Sequence, residues 1–111
     1  MSVFNVLKEA PAAQPAKPRP AVKRLAQGDG ANLIVFTFSP GQSLPDHRSA
    51  HPITVSSVKG EILFGCGDDT VTLIPGTVIH LKEHITHRVD YPATADGDAI
   101  LLLTMLTGER H

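Results

Sequence analysis

The stretch Ile53 to Leu81, "ITVSSVKGEILFGCGDDTVTLIPGTVIHL", decides the fold class. Of its four short runs, "ITVSSV", "EILFGC", "TVTLI" and "TVIHL", all but the second are rich in β-branched residues, and none is long enough for a stable helix. Between them stand "KG", "GDD" and "PG", which supply glycine, proline or aspartate where the backbone must reverse. The same texture continues outward. "AVKRLA" and "NLIVFTF" precede the stretch, "HRVDY" and "AILLLTML" follow it, and "QGDG", "SPGQ" and "ATADGD" carry further turn signals. About eight strands at this spacing imply an all-β fold, an antiparallel sandwich or a small barrel.

"AILLLTML" alternates poorly, so it reads as buried on both faces or packed at an interface. An exposed edge there would invite aggregation, and a homodimer would cover it; "NLIVFTF" has the same potential. Residues 1–20 hold Pro11, Pro15, Pro18 and Pro20 among alanines, a composition that disfavours helix and favours an extended N-terminal arm. The arm is either a frayed tail or a segment that crosses a partner subunit and buries Phe4 and Leu7. Residues 21–111 then form one domain, as a chain of 111 residues allows.

Composition narrows the partners. Apolar residues make up 41% and charged residues 19%, ordinary for a globular domain. A net charge of −1 gives no electrostatic case for nucleic acid or an anionic membrane, and "KPRPAVKR" has no interleaved aromatics, so a small-molecule ligand or another protein surface remains. Cys66 is the one cysteine, which excludes an internal disulfide and a Cys-rich zinc site and suits a reducing compartment. The N-terminus lacks the apolar core of a signal peptide, and no run approaches the roughly 18 to 20 apolar residues of a membrane span, so the expected location is cytoplasmic. No P-loop, G-x-S-x-G elbow or dinucleotide fingerprint occurs.

Five of the six histidines lie between His47 and His87. Around them the spacing resembles that of the cupin family, small jelly-roll β-barrels with one motif in each half. The first motif runs Gly, five residues, His-x-His, three or four residues, Glu, six residues, Gly. Gly41, His47 and Gly60 fall in register with it, Ser49 takes the second histidine position, and Ile53 takes that of the glutamate. The second runs Gly, five residues, Pro-x-Gly, two residues, His, three residues, Asn. Gly76 and His87 match, while Lys82, His84 and Tyr91 replace the Pro, Gly and Asn. The resemblance implies a cupin jelly roll with His47 and His87 projecting from facing strands toward an interior pocket. It also implies a divalent metal, Zn, Fe, Ni or Mn, of whose four usual ligands two stand here.

A catalytic metal site generally needs three protein ligands, so the residues leave open where a third would come from. His51 shares side-chain parity with His47, but four residues of regular strand span roughly 13 Å. Only a bend, which Ser49, Ala50 and Pro52 permit, would gather His47, His51 and His87 into one metal site. His84 either pairs with His87 across a turn or faces solvent in place of a loop glycine. His80 points outward if its apolar neighbours Ile79 and Leu81 point in, and His111 is terminal. Asp46 and Glu83 are either proton acceptors or hydrogen-bond partners that orient an imidazole, or solvated loop acids. Arg48 pairs either with a substrate carboxylate or locally with Asp46. Cys66 reads as structural, because no neighbouring base is evident.

Two functions follow from different classes. One is a small-molecule binding domain in which His47 and His87 hydrogen-bond a ligand and Ser49, Ile53 and Ile85 line a less polar cavity. The other is a metal-dependent small-molecule enzyme of the dioxygenase or isomerase type.

Overall fold

The computed structural model describes residues 1–108, so His111 lies outside the described residues. A short helix α1 (Val6–Glu9) precedes nine strands: β1 (Ala21–Gly28), β2 (Ala31–Phe38), β3 (Ser43–His47), β4 (Ile53–Lys59), β5 (Ile62–Cys66), β6 (Asp69–Leu73), β7 (Val78–Leu81), β8 (His87–Asp90) and β9 (Ala99–Leu106). They form a five-stranded sheet in the order β1-β2-β9-β4-β7 and a four-stranded sheet in the order β3-β8-β5-β6. All strand pairings are antiparallel. The two sheets are not joined by strand pairing into a closed cylinder; they are the two open halves of a jelly roll. No described helix is long and apolar enough to cross a membrane.

Every run expected to be a strand is one, and β3 is the addition. "SLPDH" contains Pro45, which cannot donate to a ladder and is tolerated only on an edge or at a bulge. Both conditions hold, since β3 is the edge of its sheet and its register against β8 slips between Leu44 and His47.

The core lies between the sheets. Phe38, Ile53, Val55 and Leu101 from the larger sheet meet Ile62, Phe64, Leu73 and Val89 from the smaller. Each such side chain contributes roughly 1.5–3 kcal/mol by leaving water. β9 is a central strand, between β2 and β4, so a partner subunit is not what covers it. Its poor alternation has a different cause. Leu101 and Leu103 face the core, while Ile100, on the opposite face of the sheet, is also only 7% exposed.

The arm lies along that second face. Thr37, which pairs with Ile100, donates its hydroxyl to the Pro11 carbonyl at 2.8 Å. The Gln42 amide donates to the carbonyls of Gln14 and Lys17 at 2.8 and 2.9 Å. Lys23 and Glu9 approach to 3.0 Å, a half-exposed ion pair of little energetic worth. The arm is therefore not a loose tail in this structure, because it docks on its own sheet. Phe4 is half-buried and Leu7 is 56% exposed. The proline-rich composition did not exclude one helical turn, which begins before the first proline and is capped by Asn5 accepting from the Lys8 N–H at 3.2 Å.

Candidate functional site

The slip in β3 aims the first histidine. Leu44 pairs with Val89 and His47 pairs with His87, so three residue steps on β3 match two on β8. Regular alternation would put residues three apart on opposite faces of the sheet. One extra residue in the bulge restores the parity, so that His47 faces the same interior as Leu44. The two histidines thus sit on neighbouring strands of one sheet, not on facing strands. Their ring centroids are 4.3 Å apart, with the planes inclined at 62°.

Both rings are fixed in the same way. His47 Nδ1 lies 2.7 Å from the carbonyl of Pro45, two residues back, and His87 Nδ1 lies 2.9 Å from the carbonyl of Ile85, also two residues back. A carbonyl oxygen only accepts, so Nδ1 carries the proton and donates it in each case. In the neutral ring Nε2 is then a bare acceptor, and neither Nε2 has a protein partner among the described residues. His87 is 2% exposed, and its ring stacks on Phe64 with centroids 5.4 Å apart and planes 13° from parallel. Burial pulls its pKa below the usual histidine range; the Ile85 carbonyl and Asp46 oppose this and His47 adds to it, so His87 is neutral at pH 7.

The two imidazoles open on a cavity of about 410 Å³. Its walls are mostly apolar, from Ile34 and Phe36 of β2, Ile53 of β4, and Leu103 and Met105 of β9. One side is the irregular segment between β3 and β4, from which Arg48, Ser49, Ala50 and His51 all reach the cavity. Ser49 knots that segment. Its hydroxyl accepts from the His51 N–H at 3.1 Å, and its carbonyl accepts from the His84 N–H at 2.8 Å.

The anticipated bend between His47 and His51 is therefore present, and both residues line one cavity. It does not gather a metal cage: among the described residues no three His, Cys, Asp or Glu side chains group as metal ligands. Of the residues expected to line the pocket, Ser49 and Ile53 do so, and Ile85 does not. Ile85 is 39% exposed and contributes its backbone carbonyl to His87 instead. His84 and His80 are exposed. His84 takes φ +63°, the left-handed conformation that glycine favours, at the position where the motif has glycine. Arg48 and Asp46 make no ion pair with each other. Asp46 lines a neighbouring cavity of about 200 Å³ with Arg19 and His47.

Sequence reasoning missed the β2 and β9 walls. Ile34, Phe36, Leu103 and Met105 lie in runs that are apolar on both faces, so no alternation marks which side turns inward. The far end of the jelly roll holds a cavity of about 340 Å³ beside Tyr91, Glu61 and Asp96. There Tyr91 donates to the Gly97 carbonyl at 2.9 Å. Burial, reinforced by Asp98 and Asp96, raises its pKa.

No family model matches the chain, and no curated protein sequence matches it. Solved structures do. An RmlC-like cupin from Desulfovibrio desulfuricans superposes with a TM-score of 0.80 at 24% identity, covering 96% of this chain and 97% of that one. A cupin superfamily protein from Desulfitobacterium hafniense gives 0.73 at 19% identity over 97% and 100% of the two chains. A cupin domain from Bordetella pertussis gives 0.69 at 18% over 83% and 97%. The chain has the cupin fold.

Proposed function

We propose that this chain is a small-molecule binding domain whose ligand enters the cavity beside His47 and His87. One observation carries the reading. Two imidazoles with ring centroids 4.3 Å apart, each held by a backbone carbonyl at Nδ1, line an apolar cavity of about 410 Å³, and neither Nε2 has a protein partner among the described residues. Such a cavity is in the usual size range for ligand pockets, and apolar walls with a few convergent polar atoms are their usual chemistry. A ligand with a hydrogen-bond donor would satisfy the two Nε2 atoms while its body displaces water from the β2 and β9 walls.

A divalent metal does not fit the residues as a complete site. Two imidazoles converge without a third ligand among the described residues, and the apolar Ile53 holds the place where the motif has an acid. One feature favours the metal-dependent enzyme as a second reading: metal-ligating histidines also donate their second nitrogen to a carbonyl. Elemental analysis of protein purified without chelator separates the two. The binding reading expects less than stoichiometric Zn, Fe, Ni or Mn, even after incubation with each. It also expects a thermal-shift screen of small metabolites to find a stabiliser whose effect disappears in His47→Ala and His87→Ala. Stoichiometric metal lost in both variants would reverse the assignment.

The same reading includes a homodimer in a reducing, cytoplasmic setting without nucleic-acid or membrane partners. Its support is the exposed Val22 and Val78 on edge strands, 59% and 62% exposed, the lone Cys66 and the net charge of −1. Light scattering on purified protein decides the dimer.

A further inference from the structure

The geometry points to a carboxylate as the ligand's chemical class: we infer that the cavity takes a monoanion with an apolar body, its charge held by Arg48. This rests on the reading of the cavity as a small-molecule site. The cavity's ionisable lining is Arg48 with His47, His51 and His87, and no carboxylate lines it. The nearest acid in sequence, Asp46, belongs to the adjoining cavity. Arg48 is exposed at the rim and has no ion-pair partner among the described residues. A cationic ligand would find no counter-charge here.

The anion's size and charge follow from the donors at hand. A phosphate dianion brings three strongly hydrated oxygens, and burying them calls for several donors. This cavity offers one guanidinium, with the Ser49 hydroxyl and the His51 ring beside it, and the Nδ1–H of His87 is already given to the Ile85 carbonyl. A carboxylate matches a guanidinium fork with two parallel hydrogen bonds, and a hydroxyl on the ligand's body would donate to the bare Nε2 acceptors. The apolar walls of Ile34, Phe36, Leu103 and Met105 then take a short aliphatic or aromatic body.

Calorimetric titration at pH 7.5 with matched probe pairs tests this: octanoate against octanamide, 4-phenylbutyrate against 4-phenylbutanamide, and 4-hydroxyphenylacetate against its amide. The protein is expected to bind at least one acid about tenfold or more tighter than its amide, the size of a charge-assisted hydrogen bond. Arg48→Leu, an exposed change that spares the core, removes that preference. Arg48→Lys keeps part of the preference, because it retains the charge without the fork. Equal binding of acid and amide, or a preference that survives in Arg48→Leu, overturns the carboxylate assignment and leaves the pocket standing. Failure of every acid and every amide to bind overturns the pocket reading and this inference with it.

Discussion

Gly60→Ala is expected to be among the costliest single-methyl changes in this fold. Gly60 sits at φ +84°, where an L side chain is strained by about 1–2 kcal/mol. A Cβ there would also stand 2.8 Å from Ala99 Cβ and 3.2 Å from Ala99 Cα. Ala99 is fully buried in β9 and paired with Phe38, so it has no flexible end to swing away. Overpacking of this kind costs about 1–3 kcal/mol, which brings the total to about 2–5 kcal/mol. For a domain of roughly this size each kcal/mol moves the melting temperature by about 4–8 °C. Two other glycines isolate the terms. Gly76→Ala meets the same backbone strain, at φ +95°, but has nothing within 4 Å, so it should lose only about 1–2 kcal/mol. Gly65→Ala meets the Arg88 guanidinium, with Nε 2.7 Å from the new methyl, yet that side chain can move aside. Its expected cost is below about 1 kcal/mol. Urea denaturation of the three variants gives the ranking directly. Should Gly60→Ala lose no more than Gly76→Ala, the rigid contact with Ala99 would be refuted, and with it the packing at the β4–β5 turn.

Three further outcomes follow. Because the folded pKa of His87 is lowered by burial, the unfolded chain takes up a proton there that the native state refuses. Stability should therefore fall as pH drops below about 6.5, by at most about 1.4 kcal/mol per pH unit from this group, until the native ring protonates. Denaturation of His87→Gln at the same pH values should show a flatter profile, and an unchanged slope would contradict the assignment. His84→Gly relieves a left-handed residue whose side chain is exposed, so its melting temperature should stay level or rise slightly; a clear fall would mean that the imidazole makes a contact of value. Thr37→Val removes the hydroxyl that holds the Pro11 carbonyl and should cost about 0.5–1.5 kcal/mol, with faster amide exchange in the arm. Exchange in residues 6–14 that does not change would show the arm to be held by other contacts.

Most of the fold was legible because antiparallel hairpins write themselves locally. "KG" between β4 and β5 and "GDD" between β5 and β6 announce their reversals, and the runs beside them have strand composition. β3 was not legible, because Pro45 argues against a strand unless the strand is known to be an edge, and edge position is a property of the assembled sheet. The site divides in the same way. His47 and His87 stand out by spacing, whereas their adjacency depends on a bulge that no local pattern reveals. Ile85 looked like a lining residue because it neighbours His87, but its carbonyl, not its side chain, serves the ring. The cavity walls escaped notice because the arm buries the reverse face of β2 and β9, which erases the alternation that would have marked the inward side.

The paired-acceptor geometry is the claim on which the functional reading stands, and long-range imidazole ¹H–¹⁵N spectra of the full chain at pH 8 measure it most directly. His47 and His87, assigned through His47→Gln and His87→Gln, should both be Nδ1-protonated with a bare Nε2, as their contacts with Pro45 and Ile85 require. Protonation of either ring at Nε2 would contradict the account.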